Sequence, residues 1–179
     1  MEAREEKAII LDFLPNGYPL ERRRMPIAQA IGTSHLTLLE LVPRKGVSLQ
    51  LKEEVYIGPE KRDKIYFIQG RLDKKKLTET AKMQIQDFVD KYTLQEEKKF
   101  VDFFNNAGAI NTRLHQIELL PGFGKKYMEM IINEREKKPF ESFEDMKKRL
   151  KNLPDPRKAI EKRIIEELTQ ETRYKIFVA

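Results

Sequence analysis

The stretch Leu119-Leu120-Pro121-Gly122-Phe123-Gly124-Lys125-Lys126 decides how the second half of the chain is interpreted. A turn of about five residues between two helices needs backbone torsions that side chains hinder, and glycine supplies them. Phe123 is predicted to point inward and anchor the turn. The glycine amides and the first amides of the following helix then face outward as a small anion cradle, with Lys125 and Lys126 at its rim. A phosphate group is the predicted ligand.

Helical spacing continues on both sides of this turn, from about Thr78 onward. A first helix is predicted by one apolar stripe of Ile85, Phe88, Val89 and Tyr92. A second is predicted to open with a capping box of Thr93 and Glu96. Thr112 is expected to cap a third helix, and the fourth follows the turn and stops before Pro139.

Two further helices are predicted near the C-terminus. Ser142 and Asp145 bracket a short fifth helix, with Phe143, Met146 and Leu150 expected to face inward. The run Pro154-Asp155-Pro156 breaks the chain, and a sixth helix follows it.

The residues before Lys74 have a different sequence pattern, in which short apolar runs are separated by turn residues. These runs predict strands at Lys7–Leu14, Met25–Ile31, Thr37–Val42, Val47–Leu51, Val55–Ile57 and Lys64–Leu72. Five or six short strands in about 70 residues suggest a small OB-like β-barrel that closes its own edges.

The fold class is therefore α+β. Residues 1–77 are predicted to form the OB-like β-barrel, and residues 78–171 a helical domain. In the last segment, 172–179, Tyr174, Ile176 and Val178 alternate with other residues and predict a strand. A lone strand needs a partner, so it is expected to return to the barrel.

Composition narrows the class of protein. Hydrophobic residues make up 40% and charged residues 36%, which suits a highly charged globular chain. With 35 Lys+Arg against 29 Asp+Glu and a pI near 9.3, polyanionic partners are favoured. A Lys/Glu-rich surface that serves thermal stability is the alternative explanation.

The absence of cysteine excludes disulfides, thiolate-zinc sites and cysteine nucleophiles. The charged N-terminus lacks the apolar run of a signal peptide, and the longest apolar run, Ala8–Leu14, is too short to span a bilayer. A cytoplasmic protein without membrane partners is expected.

Three ordered blocks, at residues 110–112 (Ile-Asn-Thr), 120–124 (Leu-Pro-Gly-Phe-Gly) and 139–145 (Pro-Phe-Glu-Ser-Phe-Glu-Asp), resemble the helix-hairpin-helix module of bacterial competence DNA receptors. The resemblance covers about residues 108–150. It implies sequence-independent DNA contact through hairpin amides. It also implies a monovalent cation held by hairpin carbonyls, which by position belong to Glu118, Leu120 and Phe123.

Two positions depart from the family's pattern. Met128 stands where the family usually has a small residue, and Phe123 replaces the hairpin isoleucine. Neither removes an amide. The layout of a barrel before such a hairpin is also similar to an archaeal family of uncharacterised proteins generally described as predicted nucleic-acid or RNA binders.

Further candidates are spread over the chain. The run Arg22-Arg23-Arg24 could neutralise phosphates beside the barrel, or be a solvated loop, and Lys74-Lys75-Lys76 is interpreted as a linker. Tyr56, Tyr66 and Phe67 fall in predicted strands, where they form either a base-stacking platform or part of the core. His35 and His115 lack carboxylates at metal-ligand spacing. His115 is expected on the predicted third helix, either near a bound phosphate or at a plain surface position.

These observations predict a non-enzymatic, sequence-independent binder of RNA or DNA. One alternative is a protein-interaction module of a ribonucleoprotein or repair assembly. The other is a nucleic-acid enzyme such as a nuclease or glycosylase, although no recognised catalytic motif occurs in the chain.

Overall fold

The computed structural model describes residues 4–179 and has the mixed α+β fold that the sequence predicts. The chain divides into two compact units, one of residues 4–87 with Glu167–Ala179 and one of Phe88–Glu166. The first unit contains a curled half-barrel of five antiparallel strands. These strands are β1 Lys7–Leu14, β2 Ile27–Gly32, β3 Leu38–Pro43, β4 Glu54–Tyr56 and β5 Ile65–Arg71.

The half-barrel is an open sheet with the strand order β4-β1-β2-β3-β5. Strands β4 and β5 lie at opposite edges and are not paired with each other in the part of the chain that the structure describes. The prediction of a closed, OB-like barrel is therefore wrong in that respect. One reason is that β4 has only three residues, which gives little edge for closing the sheet.

One predicted strand, Val47–Leu51, is a loop. Val47 and Leu49 still pack with the hydrophobic core of the half-barrel, beside residues of β1, β2 and β3. The Val47 amide closes a turn with the Arg44 carbonyl, and Lys52 has a left-handed φ of 71°. The loop thus buries alternate residues without pairing as a strand. Alternation of apolar and polar residues therefore does not distinguish a strand from a loop that packs on the core.

The central strands are buried on both faces. Every residue of β2 and β3 is buried, which agrees with the near-continuous apolar runs in the sequence. The polar Gln29 on β2 is satisfied by residues that follow β5. Its side chain donates to the Lys76 carbonyl at 2.7 Å and accepts from the Thr78 amide at 3.1 Å. These bonds fix the start of the first helix against the sheet.

The C-terminal segment is not a strand, so that prediction is wrong. Instead the buried carboxylate of Glu167 accepts three successive amides, those of Ile176, Phe177 and Val178, at 2.9, 3.0 and 3.2 Å. The Ala179 amide donates to the His35 carbonyl at 3.0 Å. The Glu167 side chain thus accepts amides that a partner strand would otherwise pair. The alternating sequence pattern does not reveal such a side-chain partner.

The helices are α1 Glu79–Gln95, α2 Glu97–Asn106, α3 Lys125–Lys137, α4 Phe143–Arg149 and α5 Pro156–Thr169. The predicted capping box of Thr93 and Glu96 is not formed. Thr93 is buried within α1 and donates to the Asp90 carbonyl, and Glu96 precedes α2 without a side-chain cap. Because the Thr93 hydroxyl bonds a carbonyl of its own helix, it does not cap α2.

The predicted third helix is also wrong. Residues Ala109–Asn111 and Leu114–His115 form the short antiparallel strands β6 and β7, and Gln116–Leu119 is one turn of 3₁₀ helix. The Asn111 carboxamide oxygen accepts the Arg113 amide at 2.8 Å. This local turn competes with helix formation at Thr112.

Two partly buried arginines stabilise the second unit by donating to backbone carbonyls. Arg135 donates to the carbonyls of Phe104 and Ala107 at the end of α2, at 3.1 and 2.8 Å. Arg149 donates to the backbone carbonyls of Glu134, Lys138 and Pro139 and to two carboxylates. Helix ends leave carbonyls without partners, and guanidinium groups supply the missing donors here.

Candidate functional site

The candidate site is the turn between the 3₁₀ segment and α3. The Phe123 amide donates to the Leu120 carbonyl at 3.0 Å, and Gly122 has a φ of 84°. Proline at the second position and glycine with positive φ at the third are typical of a type II turn. The sequence prediction that glycine is needed for the backbone here is confirmed for Gly122.

Two apolar side chains hold the turn to the second unit. Leu120 and Phe123 are buried, as the sequence predicts for Phe123. The Phe123 ring lies 6.1 Å from the ring of Phe104 on α2 and 6.0 Å from that of Tyr127 on α3. Buried aromatic pairs at this separation add to the free energy of burial, so the turn has a fixed base.

The opposite side of the turn is open to solvent. Gly122, Gly124, Lys125 and Lys126 are all exposed. Gly124 has a φ of −87°, which any residue adopts, and a Cβ added to it would meet nothing within 4 Å. Neither backbone strain nor packing therefore requires glycine at this position. What glycine does provide is close access to the backbone amides at the start of α3.

The start of α3 differs from the starts of the other helices. Thr78, Ser142 and Asp155 accept amides at the starts of α1, α4 and α5, and Glu97 lies in the first turn of α2. Helix α3 has Gly124 as N-cap, no side-chain cap bond and no acidic residue in its first turn. Among the helices of residues 4–179 it alone begins without an acceptor or a carboxylate.

Two lysines stand at this uncapped helix start. Within the described residues neither Lys125 nor Lys126 has an ion-pair partner. A cation at a helix N-terminus is opposed by the helix dipole, by roughly 0.3–1 kcal/mol. A bound anion would remove this repulsion and accept hydrogen bonds from the first amides of α3, which have no acceptor within the helix. The geometry therefore suits an anionic group.

Gly122 gives a test of the turn geometry. We expect Gly122→Ala to lower the free energy of unfolding by about 1 kcal/mol, because an L side chain is strained at positive φ. The measurement is the urea midpoint followed by circular dichroism. Gly108→Ala is the control, since a Cβ there also meets open space and the residue lacks positive φ. Equal midpoints for the two variants would contradict the turn type.

The proposed cation carbonyls gain no support from their surroundings. The Leu120 carbonyl already accepts the Phe123 amide. The Arg163 guanidinium donates to the Leu119 carbonyl at 3.5 Å, and the Glu166 carboxylate lies 3.7 Å from the same guanidinium. The cation expected at the carbonyls of Glu118, Leu120 and Phe123 therefore stays a prediction.

The last block of the motif, at residues 139–145, has a structural role. Phe140 is buried, and its backbone amide and carbonyl both bond the side chain of Asn105, at 2.7 and 2.9 Å. Ser142 caps α4 through the Asp145 amide at 2.9 Å, as predicted. Asp145 in turn pairs with Arg149 at 3.1 Å. This block stabilises the second unit and presents no group to a phosphate.

His115 likewise has a structural role. It is buried, and its Nδ1 accepts the Ile117 amide at 3.1 Å at the start of the 3₁₀ turn. The Glu118 carboxylate accepts the His115 amide at 2.7 Å. Burial, followed by the charge of Arg135, lowers the pKa of His115. The neutral ring suits this capping bond, and the predicted surface position on a helix is wrong.

The remaining candidates belong to the first unit. Arg22, Arg23 and Arg24 are exposed in the loop between β1 and β2. Tyr18 fixes the start of this loop, since its hydroxyl donates to the Glu40 carboxylate at 2.7 Å. Burial raises the pKa of Tyr18, which keeps it a donor. Nothing in the sequence pattern identifies this bond, because the partners are 22 residues apart.

The three aromatic candidates separate into two kinds. Tyr56 is half-buried, and its hydroxyl accepts the Glu60 amide at 3.2 Å beside Gly58. Tyr66 is 64% exposed and Phe67 36% exposed, so both rings are accessible on β5. Only the second kind is accessible to a base, and the sequence could not separate the two.

Residues 4–179 contain neither a membrane-spanning helix nor a cluster of metal ligands. No helix within residues 4–179 is both long and apolar enough to cross a membrane. Within the same residues, no group of three or more His, Asp or Glu side chains is arranged to hold a metal ion.

Residues 4–179 match the family described as "Protein of unknown function (DUF655)". The chain belongs to this family. It is 42% identical over 174 residues to the uncharacterized protein MJ0038 of Methanocaldococcus jannaschii, covering 97% of this chain and 79% of that protein. The crystal structure of Af1531 from Archaeoglobus fulgidus, also assigned to DUF655, is 47% identical, with a TM-score of 0.83 over 98% of this chain and 100% of that one. The resemblance to an archaeal family of uncharacterised proteins is confirmed at this level.

Proposed function

We propose that this DUF655 protein binds nucleic acid without reading its sequence, by holding a backbone phosphate at the turn of residues 120–126. The supporting observation is the start of α3, where Gly124, Lys125 and Lys126 are exposed and no side chain caps the helix. The fold does not require the glycine N-cap, and the two lysines have no ion-pair partner among the described residues. A local arrangement that opposes helix stability is expected where a ligand is bound.

Two parts of the helix-hairpin-helix resemblance enter this proposal: the turn and the first amides of α3. The element before the turn is a single 3₁₀ turn, Gln116–Leu119, so the module proposed here has a shortened first helix. Phosphate contact through the amides of α3 does not need that first helix. It needs only the turn, the open Gly124 and the adjacent cations.

Basic residues elsewhere are proposed to add electrostatic attraction. The chain carries a formal charge of +6, and Arg22, Arg23 and Arg24 are exposed in the first unit. Phosphate neutralisation releases counterions, so affinity should depend steeply on salt and little on sequence.

The test is a titration of fluorescently labelled oligonucleotides at several salt concentrations. We expect the affinity to fall with salt, and Lys125→Gln/Lys126→Gln to reduce the slope of log K against log salt by about 1 to 2. The matched control is Lys137→Gln/Lys138→Gln, at the other end of the same helix, where both lysines have ion-pair partners. No binding by the unmodified protein, or equal slopes for both double variants, would contradict the proposal.

A further inference from the structure

Two adjacent aromatic side chains are exposed together on the edge strand β5. The rings of Tyr66 and Phe67 lie 5.4 Å apart between centroids, with an angle of 73° between their planes. Neighbouring residues of a regular strand point to opposite faces of the sheet. Their contact therefore requires an irregular strand.

A β-bulge accounts for this contact. Pro43 on β3 pairs with Ile65, and Val42 pairs with Phe67, so Tyr66 has no residue opposite it. The Ile65 side chain is fully buried, whereas the next two side chains are exposed. A bulge redirects a side chain in this way, and bulges are frequent beside binding sites.

The same edge is unsuited to pairing with another strand. A second register shift lies between Glu40 and Leu41 of β3, where Gly70 and Ile68 of β5 are the partners and Gln69 has none. Bulges twist an edge strand and protect it from strand addition. The exposed rings are thus better suited to contacts through their faces and edges than to an added strand.

Basic residues lie at both ends of the aromatic pair. Lys64 precedes it and forms an ion pair with Glu53, and Arg71 ends the strand four residues after Phe67. Residues 61–71 contain four basic side chains and one acidic one. The Arg44 amide donates to the Lys64 carbonyl at 2.8 Å, which places the Arg44-Lys45 turn beside Lys64. In the described part of the chain, the exposed Lys45 and Arg71 have no ion-pair partner. The charge of this edge complements a polyanion.

We propose that Tyr66 and Phe67 stack on unpaired bases, so that the protein prefers single-stranded nucleic acid to duplex. This inference rests on the proposed function and assigns its substrate class. Exposed aromatic rings between cations are the elements that sequence-independent single-strand binding uses, because every base has a π-face. In a duplex those faces are covered by neighbouring bases.

Abasic strands separate stacking from phosphate contact. The full chain is titrated with a labelled single strand and with an abasic strand of the same length, which keeps the phosphates but has no bases. We expect the unmodified protein to bind the base-bearing strand about tenfold or more tightly. Tyr66→Leu/Phe67→Leu should remove this difference and leave the affinity for the abasic strand within about twofold of the original value. Tyr66→Phe should retain the preference, since the ring remains.

Met83→Ala is the matched control, because Met83 is an exposed apolar side chain of the same unit, at 69% exposure. It should leave both affinities unchanged, and thermal melting checks that each variant is folded. If the double variant keeps the preference for bases, or if the unmodified protein binds both strands equally, the stacking role is overturned while phosphate binding stands. If the unmodified protein binds neither strand, the proposed function fails as well.

Discussion

Replacing Gly124 with aspartate is expected to weaken oligonucleotide binding roughly 10- to 100-fold without loss of stability. The new carboxylate would accept the outward amides of α3 that are proposed to hold phosphate, and it would repel the phosphate itself. Asp is also a better N-cap than Gly and interacts favourably with the helix dipole, so the free energy of unfolding should be unchanged or higher by about 0.5 kcal/mol.

Opposite effects on binding and stability distinguish a ligand site from a structural turn. Gly108→Asp is the control, since it adds the same charge in the same unit at a glycine with equally open surroundings. Gly124→Asn separates blocking of the amides from charge repulsion, and its loss of affinity should be smaller. If Gly124→Asp and Gly108→Asp bind oligonucleotide equally well, phosphate is not held at this helix start.

The largest effect on stability is expected at Arg149. Its side chain is only 17% exposed, and its guanidinium lies 4.6 Å from the centre of the Phe140 ring. It also donates to the carbonyls of Glu134, Lys138 and Pro139. Arg149→Met removes all these donors and should lower the free energy of unfolding by about 2–3 kcal/mol.

Arg149→Lys should restore little of this loss, because one ammonium cannot reproduce the fork of donors. Lys137→Met is the control: Lys137 pairs with the same Glu134, yet its side chain is 73% exposed, and exposed pairs contribute little. Urea denaturation followed by circular dichroism measures all three variants. An Arg149→Met midpoint equal to that of Lys137→Met would contradict this role of the guanidinium.

The elements that the sequence predicts well are those whose patterns are set by local physics. The apolar run predicts β1 with the same bounds as the structure, Lys7–Leu14, because a buried strand shows a continuous pattern. The cap Ser142 and the glycine turn at Gly122 were also predicted, since each depends on a few neighbouring residues.

The elements that were missed depend on distant partners. Residues Val47–Leu51 alternate because a loop lies on the core, and 172–179 is held by the Glu167 carboxylate. The sheet stays open with β4 and β5 at opposite edges, which the apolar pattern does not reveal. Sequence periodicity reports which residues are buried, and it leaves open what covers them.

The candidate site was predicted in part. The exposed Gly124, Lys125 and Lys126 beside the buried Phe123 follow directly from the motif. Two features could not be predicted from the sequence. One is the contrast between α3 and the capped helices, which requires knowing every helix start. The other is the exposure of Phe67, which depends on a bulge opposite Val42 and Pro43.

The most direct test is an amide chemical-shift titration of the isotope-labelled protein with a short abasic phosphate strand. Phosphate held by the start of α3 should shift the backbone amides of Gly124, Lys125, Lys126 and Tyr127 most strongly, and Gly124→Asp should abolish those shifts. Shifts that leave these four amides unchanged while others move, or the same shifts in Gly124→Asp, would contradict the account.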